Sequence, residues 1–550
     1  MWSVLVGCAT PLEGGSVPPI DVPGLVPESP APGAWIDDGQ GHVTGWAVQL
    51  SGLTLDGAPL DAVDSWYDAP RAFPRGVTTL ALSGTAPGGE VHQATYSVLA
   101  GDTAPAEGRI RGAIGVHLGQ AALDSLGPML EQLLDPATLL GGASSTPIVD
   151  DGTYTVWLDG IEMSGLTTRS IPQDGSLLFG IGLADLVVHL SVDAEILFIP
   201  IGLDADLVIR DAELLTEVWI DTDGQGGLEV SVDEPILTFQ EVEVDVDDVA
   251  DFLEDLFLSD SDARAMLEDQ IGTLTAEIPG LVDGLLGELD SLGTIETELV
   301  GTTIALSPYF QSAGVTPDGV DLGIDLDLTV GDGKDHRYLA SAPPPQPGGD
   351  DLVVALSDDL VNRALTDLWA AGALNLDLPV EAGSVESAIL LLFGGGGGGG
   401  ALKVEAGLPP VLVERDGQAR IQIGEWKLGV DVPGGRYGDH LDLGLHADIA
   451  ADFVFDGTTL SVSLSDAQLV LSPTGDADPA LVAQLPTIAQ GMAGGIGLLE
   501  SLLAFPLDGL LGGGSTTTTG DPSVLSGISL PPMTFSRDGS GLGTRIDAAL

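Results

Sequence analysis

Alternating apolar and polar residues dominate this chain and predict a protein built mainly of β-strands. In Leu177 to Val192, Leu203 to Ile209 and Leu214 to Ile220, apolar side chains recur at about every second position, the period of a half-buried strand. Gly and Asp residues separate these runs and are typical of turns. Because the strands are short and closely spaced, we expect neighbours in sequence to pair antiparallel.

Four stretches replace this alternation with apolar residues three or four positions apart, which is the period of an amphipathic helix. These predicted helices are Leu118 to Leu133, Val249 to Leu289, Asp358 to Trp369 and Pro479 to Leu503. Each helix would turn its apolar stripe towards a sheet. Pro279 is expected to break or kink the second of them.

The segment from Asp351 to Pro379 has the clearest local order. Three alternating apolar residues form one face of a strand, and Ser357 follows as the residue that caps a helix. Asp358 and Asp359 place negative charge in the first helical turn, where the helix dipole stabilises it. Gly372 is expected to end this helix before a further strand begins.

Composition divides the chain into five segments. Two long C-terminal parts repeat one plan of strand, helix, several strands, long helix and final strands, and a Pro-rich linker joins them. The predicted boundaries are residues 1–8 for a partial signal segment, 9–33 for a Pro-rich tether, 34–104 for a small all-β domain, and 105–342 and 343–550 for the two repeated parts.

The motif Leu356-Ser357, Asn362 in the following helix and the exit Ala371-Gly372-x-Leu374 resemble the start of the second barrel in the bactericidal/permeability-increasing (BPI), lipopolysaccharide-binding and phospholipid-transfer protein family. Ser307-Pro308-Tyr309-Phe310 and the order of elements over residues 105–550 resemble the same family, part of the tubular lipid-binding (TULIP) superfamily. The resemblance implies an α+β fold with two barrels end to end around a central sheet. In each barrel a curved antiparallel sheet would wrap long helices and leave an apolar slot for acyl chains.

The resemblance also implies a phospholipid or other acyl lipid as ligand, no cofactor and no enzymatic activity. A slot of this kind needs only apolar walls, because each buried CH₂ contributes ~0.8 kcal/mol. The residues expected where helix and sheet face each other are Leu118, Leu126, Leu130, Leu256, Leu267 and Ile271 in the first barrel, and Leu360, Ala364, Leu368, Leu485, Ile488 and Met492 in the second. For each of these residues the alternative is an ordinary place in the core.

Two features depart from the family. The single cysteine, Cys8, excludes the disulfide that animal members carry in the first barrel. The formal net charge of −66 also differs from the basic first barrel of the bactericidal member. An acidic surface repels nucleic acid and the phosphates of lipopolysaccharide, so we expect neither as a partner, whereas acyl-chain binding is unaffected. Solubility is the simpler explanation of the charge.

Cys8 lies in Leu5-Val6-Gly7-Cys8, which resembles a bacterial lipobox and predicts acylation of its sulfur. Ala9 stands where an inner-membrane retention signal would place Asp, which favours an outer-membrane lipoprotein held by its acylated N-terminus. Seven residues precede Cys8 and none is basic, so we expect the natural start to lie upstream. The alternative is that Cys8 is incidental.

Catalytic and metal-binding motifs are weak by comparison. The chain has no Gly-x-Ser-x-Gly and no His-Glu-x-x-His sequence. His440 and His446 would share one face of a strand ~20 Å apart, too far to share a metal, so solvated or core histidines are expected. The loops beginning at Asp221 and Asp332 resemble calcium loops but lack the later ligands, and hairpin turns account for them.

The aromatic residues of 34–104 leave two interpretations open. Trp35, Trp46 and Trp66 belong to a set that would form either the core of a small β domain or a glycan-binding surface. The core is the simpler interpretation, because small β domains need large apolar side chains.

The sequence therefore predicts an envelope lipoprotein that binds or transfers lipid in two barrels. A second hypothesis is a structural or adhesive surface lipoprotein that keeps the fold and fills the slots with side chains. A hydrolase is the third hypothesis, and no motif supports it.

Overall fold

The protein is described here by a computed structural model. It describes residues 23–133, 147, 149–150, 154–196, 199–233, 236–239, 242–246, 294–299, 302–331, 336–341, 348–349, 351–381, 387–394, 399–455, 459–474, 478–493, 505–506, 533–538 and 541–546. Within these residues the protein is mostly β-sheet, with few helices. The predicted helix 249–289 and the predicted helical residues after Ala493 lie outside them.

The N-terminal β unit, residues 23–105, consists of strands in two sheets with the orders β1-β3-β7-β6 and β2-β9-β8-β4-β5. Pairing is antiparallel except between β2 and β9, which run parallel. The strands are β1 (Gly24–Ser29), β2 (Trp35–Ile36), β3 (Gly39–Val48), β4 (Ser51–Leu55), β5 (Ala58–Pro59), β6 (Ala62–Val63), β7 (Trp66–Phe73), β8 (Gly76–Thr85), β9 (Val91–Ala100) and β10 (Thr103–Pro105).

The first half of the remaining chain, residues 110–339, contains one described helix. Its elements are β11 (Ile110–Gly119), α1 (Gln120–Leu133), β12 (Val149–Asp150), β13 (Tyr154–Glu162), β14 (Gly165–Pro172), β15 (Leu177–Ile196), β16 (Ile199–Thr222), β17 (Leu228–Val232), β18 (Ile236–Phe239), β19 (Val242–Val246), β20 (Ile295–Leu299), β21 (Thr302–Thr316), β22 (Gly319–Val330) and β23 (Arg337–Leu339). Strands β12 to β19 form an eight-stranded sheet centred on β15 and β16.

The second half, residues 352–546, follows a similar plan of strand, helix and long antiparallel strands. Its elements are β24 (Leu352–Ser357), α2 (Asp358–Ala370), β25 (Leu376–Val380), α3 (Ser387–Leu392), β26 (Gly400–Ala406), β27 (Val411–Arg415), β28 (Gln418–Asp431), β29 (His440–Phe455), β30 (Thr459–Pro473), α4 (Pro479–Ala493), β31 (Phe505–Pro506), β32 (Met533–Asp538) and β33 (Gly541–Ile546).

One fourteen-stranded sheet contains strands from both halves. Its main path is β20-β21-β22-β11-β24-β33-β32-β29-β28-β26-β25. The halves meet where β11 pairs antiparallel with β24, in a register that places Val116 opposite Val354. Because β11 also pairs with β22, and β24 with β33, hydrogen bonds run without a break from one half to the other.

The predicted start of the second half is confirmed. The Ser357 side chain accepts a hydrogen bond of 3.1 Å from the Asp359 backbone N–H, as expected of a helix cap. Gly372 has a φ of +78° and follows the last helical turn, so glycine suits its left-handed backbone.

Leu118 was expected to begin a helix, and the structure corrects this. β11 continues to Gly119, and Leu118 pairs with Val320 on one side and Leu352 on the other. A central strand with partners on both sides keeps its extended backbone, so the helix starts two residues later.

In two places the sequence predicted two strands where the structure has one longer strand. Residues 203–209 and 214–220 both belong to β16, and residues 460–464 and 468–472 both belong to β30. In β15 and β16 the alternation of buried and exposed side chains shifts by one residue at the same place. Ala184 pairs with Asp211 before the shift, and Leu186 pairs with Ile209 after it. Asp185, between them, has a φ of +48°. Because both strands change phase together, the apolar face of the sheet stays continuous.

The described helices have 14, 13, 6 and 15 residues, so the long helices expected inside two barrels remain a prediction. The described parts do contain a helix directly after the first strand of each half, α1 after β11 and α2 after β24.

The N-terminal β unit packs on the second half of the chain and also contacts the end of the first half. Val77 and Leu99 share a buried apolar cluster with Leu408, Val411 and Val413. The backbone N–H of Val77 donates to Oε1 of Gln422 at 2.8 Å. Strand β10 also pairs with β23, so the unit is held at two places.

A buried polar seam joins β9 to β28 and β29. Ser97 Oγ lies 2.6 Å from His446 Nδ1, and the Ser97 backbone N–H donates to the carboxylate of Glu425. Ser97 is 0% exposed and His446 is 2% exposed. Burial lowers the pKa of His446 to about 4 and raises the pKa of Glu425. The seam therefore stabilises the neutral form of the His446 imidazole.

We predict that the seam makes stability depend on pH between 6.5 and 4. The unfolded chain protonates His446 near its ordinary pKa of 6.5, whereas the folded chain resists until about pH 4. The stabilisation is therefore complete above pH 6.5 and is lost as pH falls towards 4, by at most about 3 kcal/mol. Glu425 acts in the opposite sense, because its raised pKa favours the folded state at low pH and that contribution is lost as pH rises.

Thermal unfolding of the full chain at pH steps from 7 to 4 tests this. His446→Gln should flatten the fall in Tm, because glutamine does not titrate. The control is His42→Gln, which replaces an exposed histidine paired with Asp68 at 2.5 Å. Equal slopes for the wild type and His446→Gln would contradict the prediction.

Asn362, one of the residues that carried the family resemblance, binds helix α2 to strand β27. Its Nδ2 donates to the Leu412 carbonyl at 3.1 Å, and its Oδ1 accepts from the Leu412 N–H at 2.6 Å. Leu412 pairs with Ile421 on its other side. The amide therefore takes the place of a neighbouring strand at the edge of β27.

Replacing Asn362 with Ala should lower the free energy of unfolding by roughly 2 to 4 kcal/mol, because two buried backbone groups lose their partners. Asn375 offers a matched control. Its Oδ1 accepts from the Ala406 N–H at 2.9 Å at an exposed position, so water can replace the bond and Asn375→Ala should cost below about 1 kcal/mol. Chemical denaturation measures the free energy of unfolding of both variants. Equal losses of stability in the two would show that Asn362 has no special role.

Candidate functional site

One face of the eight-stranded sheet carries a long row of apolar residues that are buried within the chain, and this face is the candidate lipid-facing surface. Strands β15 and β16 are 20 and 24 residues long, far longer than the usual strand. Their buried apolar residues are Phe179, Ile181, Leu183, Leu186, Val188, Leu190 and Val192 on β15, and Ala205, Ile209, Ala212, Leu214, Val218 and Ile220 on β16. The charged residues between them point to the opposite face.

Helix α1 crosses one side of this sheet at β14. Gln120 Nε2 donates to the Ser170 carbonyl at 2.8 Å, and Thr168 Oγ1 donates to the Gly127 carbonyl at 3.0 Å. Ala122 and Leu123 of α1 are buried with the sheet residues in one cluster. We call this cluster the main core; it extends from β11 through β15, β16, β21 and β22 to β24, α2 and β28 to β30.

The structure places only one predicted lining residue of the first half. Leu118 is partly buried against the main core, on strand β11. Leu126 and Leu130 belong to α1, and their side chains are outside the described part of the molecule, as are Leu256, Leu267 and Ile271.

The predicted lining residues of the second half fall into two separate clusters. Leu360, Ala364 and Leu368 on α2 are 9%, 4% and 0% exposed and belong to the main core. Leu485 and Ile488 on α4 are buried in a second cluster, against which Met492 is partly buried. Leu118 and the α2 residues therefore share one core, and the α4 residues do not join it. Contact of any of them with lipid stays a prediction.

Helix α2 also carries charged residues into the core, which sequence reasoning missed. Arg363 Nε donates to Asp367 at 2.8 Å, and Nε2 of His336 contacts the other oxygen of the same carboxylate. Arg363 Nη1 and Nη2 donate to the carbonyls of Gly108 and Leu328 at 3.4 and 3.3 Å. Arg363 thus links α2 of the second half to the first half.

The carboxylates of α2 have perturbed proton affinities. Burial raises the pKa of Asp367, and Arg363 and His336 partly offset this by favouring the charged form. Burial also raises the pKa of Asp359, whose Oδ1 accepts from the N–H and hydroxyl of Ser341 at 2.5 and 2.8 Å. These hydrogen bonds and ion pairs hold the helix in place.

The contact between Ser97 and His446 does not provide an accessible nucleophile. The distance from Ser97 Oγ to His446 Nδ1, 2.6 Å, would suit a nucleophile and its base. Both residues are buried where β9 of the N-terminal β unit packs on β28 and β29, however. The Glu425 carboxylate binds the Ser97 backbone, and the Glu425 backbone N–H donates to His446 Nδ1 at 3.4 Å. The pair holds two parts of the chain together.

The candidate metal loops have simpler roles. Asp223 lies in the turn between β16 and β17, and its Oδ1 accepts from the N–H groups of Gln225, Gly226 and Gly227, which lowers its pKa. The loop beginning at Asp332 lies outside the described residues. Among the described residues, no group of three or more His, Cys, Asp or Glu is placed to hold a metal ion.

The aromatic residues of the N-terminal β unit are divided between its core and its surface. Tyr67, Phe73 and Tyr96 are buried in its core. Trp46 and Trp66 are partly exposed and pack edge to face, with ring centroids 5.0 Å apart. Trp35 is partly exposed elsewhere in the unit, on β2.

Comparisons with known proteins give a likeness to solved structures but no match by sequence family. No family model matches the sequence, and no curated protein matches it. Among solved structures, the chain is similar to one described as the crystal structure of lipopolysaccharide binding protein, at 12% identity and a TM-score of 0.44, over 79% of this chain and 98% of that one. In the described part of the chain, no helix combines the length and apolar character needed to span a membrane.

Proposed function

We propose that this protein binds the acyl chains of lipids in apolar slots, one in each of two TULIP-type barrels that share a central sheet. The observation that carries the proposal is the long row of apolar residues on one face of β15 and β16, which are buried within the chain. At ~3.3 Å per residue these strands extend over roughly 65 to 80 Å, several times the length of an acyl chain. Burial on such a face contributes ~0.8 kcal/mol per CH₂ without any specific polar contact.

The proposed mechanism is passive. An acyl chain enters between sheet and helix, the head group stays at the mouth, and transfer follows when the protein meets a second membrane. This mechanism requires no cofactor and no catalytic residue.

The anchor forms a separate part of the proposal. Acylated Cys8, followed by the Pro-rich tether, would hold the protein at the outer membrane of a bacterial envelope. Its support comes from the residues around Cys8. Mass spectrometry of the mature N-terminus tests it: acyl chains on Cys8 are expected, and an unmodified Cys8 in protein from its native membrane would remove this part of the proposal.

A structural or adhesive protein is the second candidate, and helix α2 favours it. Leu360, Ala364 and Leu368 are buried together with Asn362 and Arg363, so side chains fill the space around this helix. A slot in the second half would then lie elsewhere, or the first half would bind lipid alone.

Native purification of the full chain carrying Cys8→Ser, followed by lipid extraction and mass spectrometry, separates the two candidates. We expect stoichiometric acyl lipid, one or two molecules per chain, because an acyl chain that leaves the slot for water loses ~0.8 kcal/mol per CH₂. Protein that is free of lipid and also fails to bind fluorescent fatty acids and phospholipids would support the structural candidate.

A variant at Ala205 would locate the bound lipid. Ala205 is 3% exposed on the apolar face of β16, so Ala205→Trp would occupy the space beside it, whereas Ala184→Trp places the same ring on the opposite face of β15. We expect cargo per chain to fall by at least half in Ala205→Trp and to stay unchanged in Ala184→Trp.

Overpacking can itself cost about 1 to 3 kcal/mol, so the Tm of each variant is measured first. Ala205→Leu serves as a milder change if Ala205→Trp does not fold. Full cargo in a folded Ala205 variant would place the lipid elsewhere.

A further inference from the structure

A cleft of about 390 Å³ lies where three distant parts of the chain meet. The N-terminal β unit contributes Trp35, Asp37 and Thr103 to it, the end of the first half contributes His336 and Arg337, and α2 of the second half contributes Trp369. Its volume falls within the range of small-molecule sites, and junctions between structural units are a common place for them. The lipid-facing sheet β15–β16 contributes none of these residues.

The walls of the cleft are held by contacts behind them. Trp369 Nε1 donates to the Ala406 carbonyl at 2.8 Å, which fixes the plane of its indole ring. His336 contacts Asp367, and Asp367 is held in turn by Arg363 at 2.8 Å. Trp35 belongs to β2, which pairs with β9. A ligand would therefore meet surfaces that are already in place, which lowers the entropic cost of binding.

The polar groups of the cleft include both donors and acceptors. Arg337 and Asp37 are exposed, the first donating hydrogen bonds and the second accepting them, and the Thr103 hydroxyl can do both. The acidic residues nearby outnumber the basic ones: Asp37, Asp38, Asp102 and Asp359 lie around Arg75 and Arg337, while Asp367 is paired with Arg363. An anionic ligand is therefore disfavoured, both locally and by the charge of the whole chain.

We propose that this cleft binds a neutral saccharide. The C–H groups of a sugar ring would pack on the indole surfaces of Trp35 and Trp369 through dispersion, and its hydroxyls would exchange hydrogen bonds with Asp37, Arg337 and Thr103. A neutral, hydroxyl-rich ring matches a site with two aromatic walls and mixed donors and acceptors. The saccharide is either free or the head group of a glycolipid, and both share this chemistry.

The test uses the full chain and a panel of neutral sugars, with tryptophan fluorescence and calorimetry as readouts. The panel contains glucose, galactose, mannose, N-acetylglucosamine and their common disaccharides, and neutral vesicles that carry glycolipids with the same head groups. A soluble sugar that saturates the signal identifies a free saccharide as the ligand. Saturation by glycolipid vesicles alone identifies a membrane head group, and no binding in either arm overturns the proposal.

Variants at exposed positions locate the site without disturbing the fold. Asp37→Ala and Arg337→Ala should each weaken binding about tenfold, because each removes one hydrogen-bonding partner. Asp61→Ala and Arg111→Ala are matched controls at exposed positions outside the cleft and should leave the affinity unchanged. Equal affinity in all four variants would overturn the proposal even if a sugar binds.

Tryptophan variants distinguish this cleft from the other aromatic pair of the same unit. Trp35→Ala should abolish saturation, whereas Trp66→Ala, which disrupts the Trp46–Trp66 contact, should not. The opposite result would move the sugar to Trp46 and Trp66 and contradict the assignment. Because this readout is sugar affinity, it is independent of whether acyl lipid co-purifies with the protein.

Discussion

The antiparallel pairing of β11 with β24 is the contact on which the rest of this structure depends. These are the first strands of the two halves, and each is central, because β11 also pairs with β22 and β24 with β33. A helix follows each strand directly, so the same ladder fixes where α1 and α2 begin. Arg363 reinforces the junction by reaching from α2 to the carbonyls of Gly108 and Leu328 in the first half. The apolar faces of both halves can form one main core only because this ladder is continuous.

Local signals in the sequence were sufficient for most of the strands and for the helix that follows β24. Ser357 and Gly372 act over the first and last turns of this helix, so their roles follow from the residues next to them, whereas β1 lies within the predicted Pro-rich tether. Leu118 shows the limit of such signals. Its spacing fits a helix, but the hydrogen bonds of a central strand extend β11 past it to Gly119. The turn expected between residues 209 and 214 is absent for a similar reason. The shift in alternation on β16 is matched by a shift on β15, so the two strands stay paired and no turn is needed.

The candidate sites depend on contacts between parts of the chain that are far apart in sequence, which no local pattern contains. His446 occupies the same face of β29 as the exposed His440, yet it is buried because the N-terminal β unit covers that end of the strand. Ser97, its partner, is 349 residues away. The saccharide cleft likewise draws Trp35, Arg337 and Trp369 from three separate segments. Sequence reasoning identified Trp35 as a glycan-binding candidate, but nothing in its surroundings indicated the other two.

Several of the few cations in the described part of this chain are paired within it, and this bears on how it would meet a membrane. The chain has 17 Lys and Arg against 83 Asp and Glu. Arg363 is paired with Asp367, Arg420 with Asp448, Arg71 with Asp56, and Arg109 lies over the Tyr309 ring at 3.1 Å. Little positive charge is left to attract anionic lipid, and the excess of carboxylates repels it within a Debye length of about 10 Å. If the protein works at a membrane, its attachment must therefore come from an interaction that the negative charge does not oppose. The burial of acyl chains is such an interaction, whether the chains are attached to Cys8 or are lipid chains drawn into the apolar face.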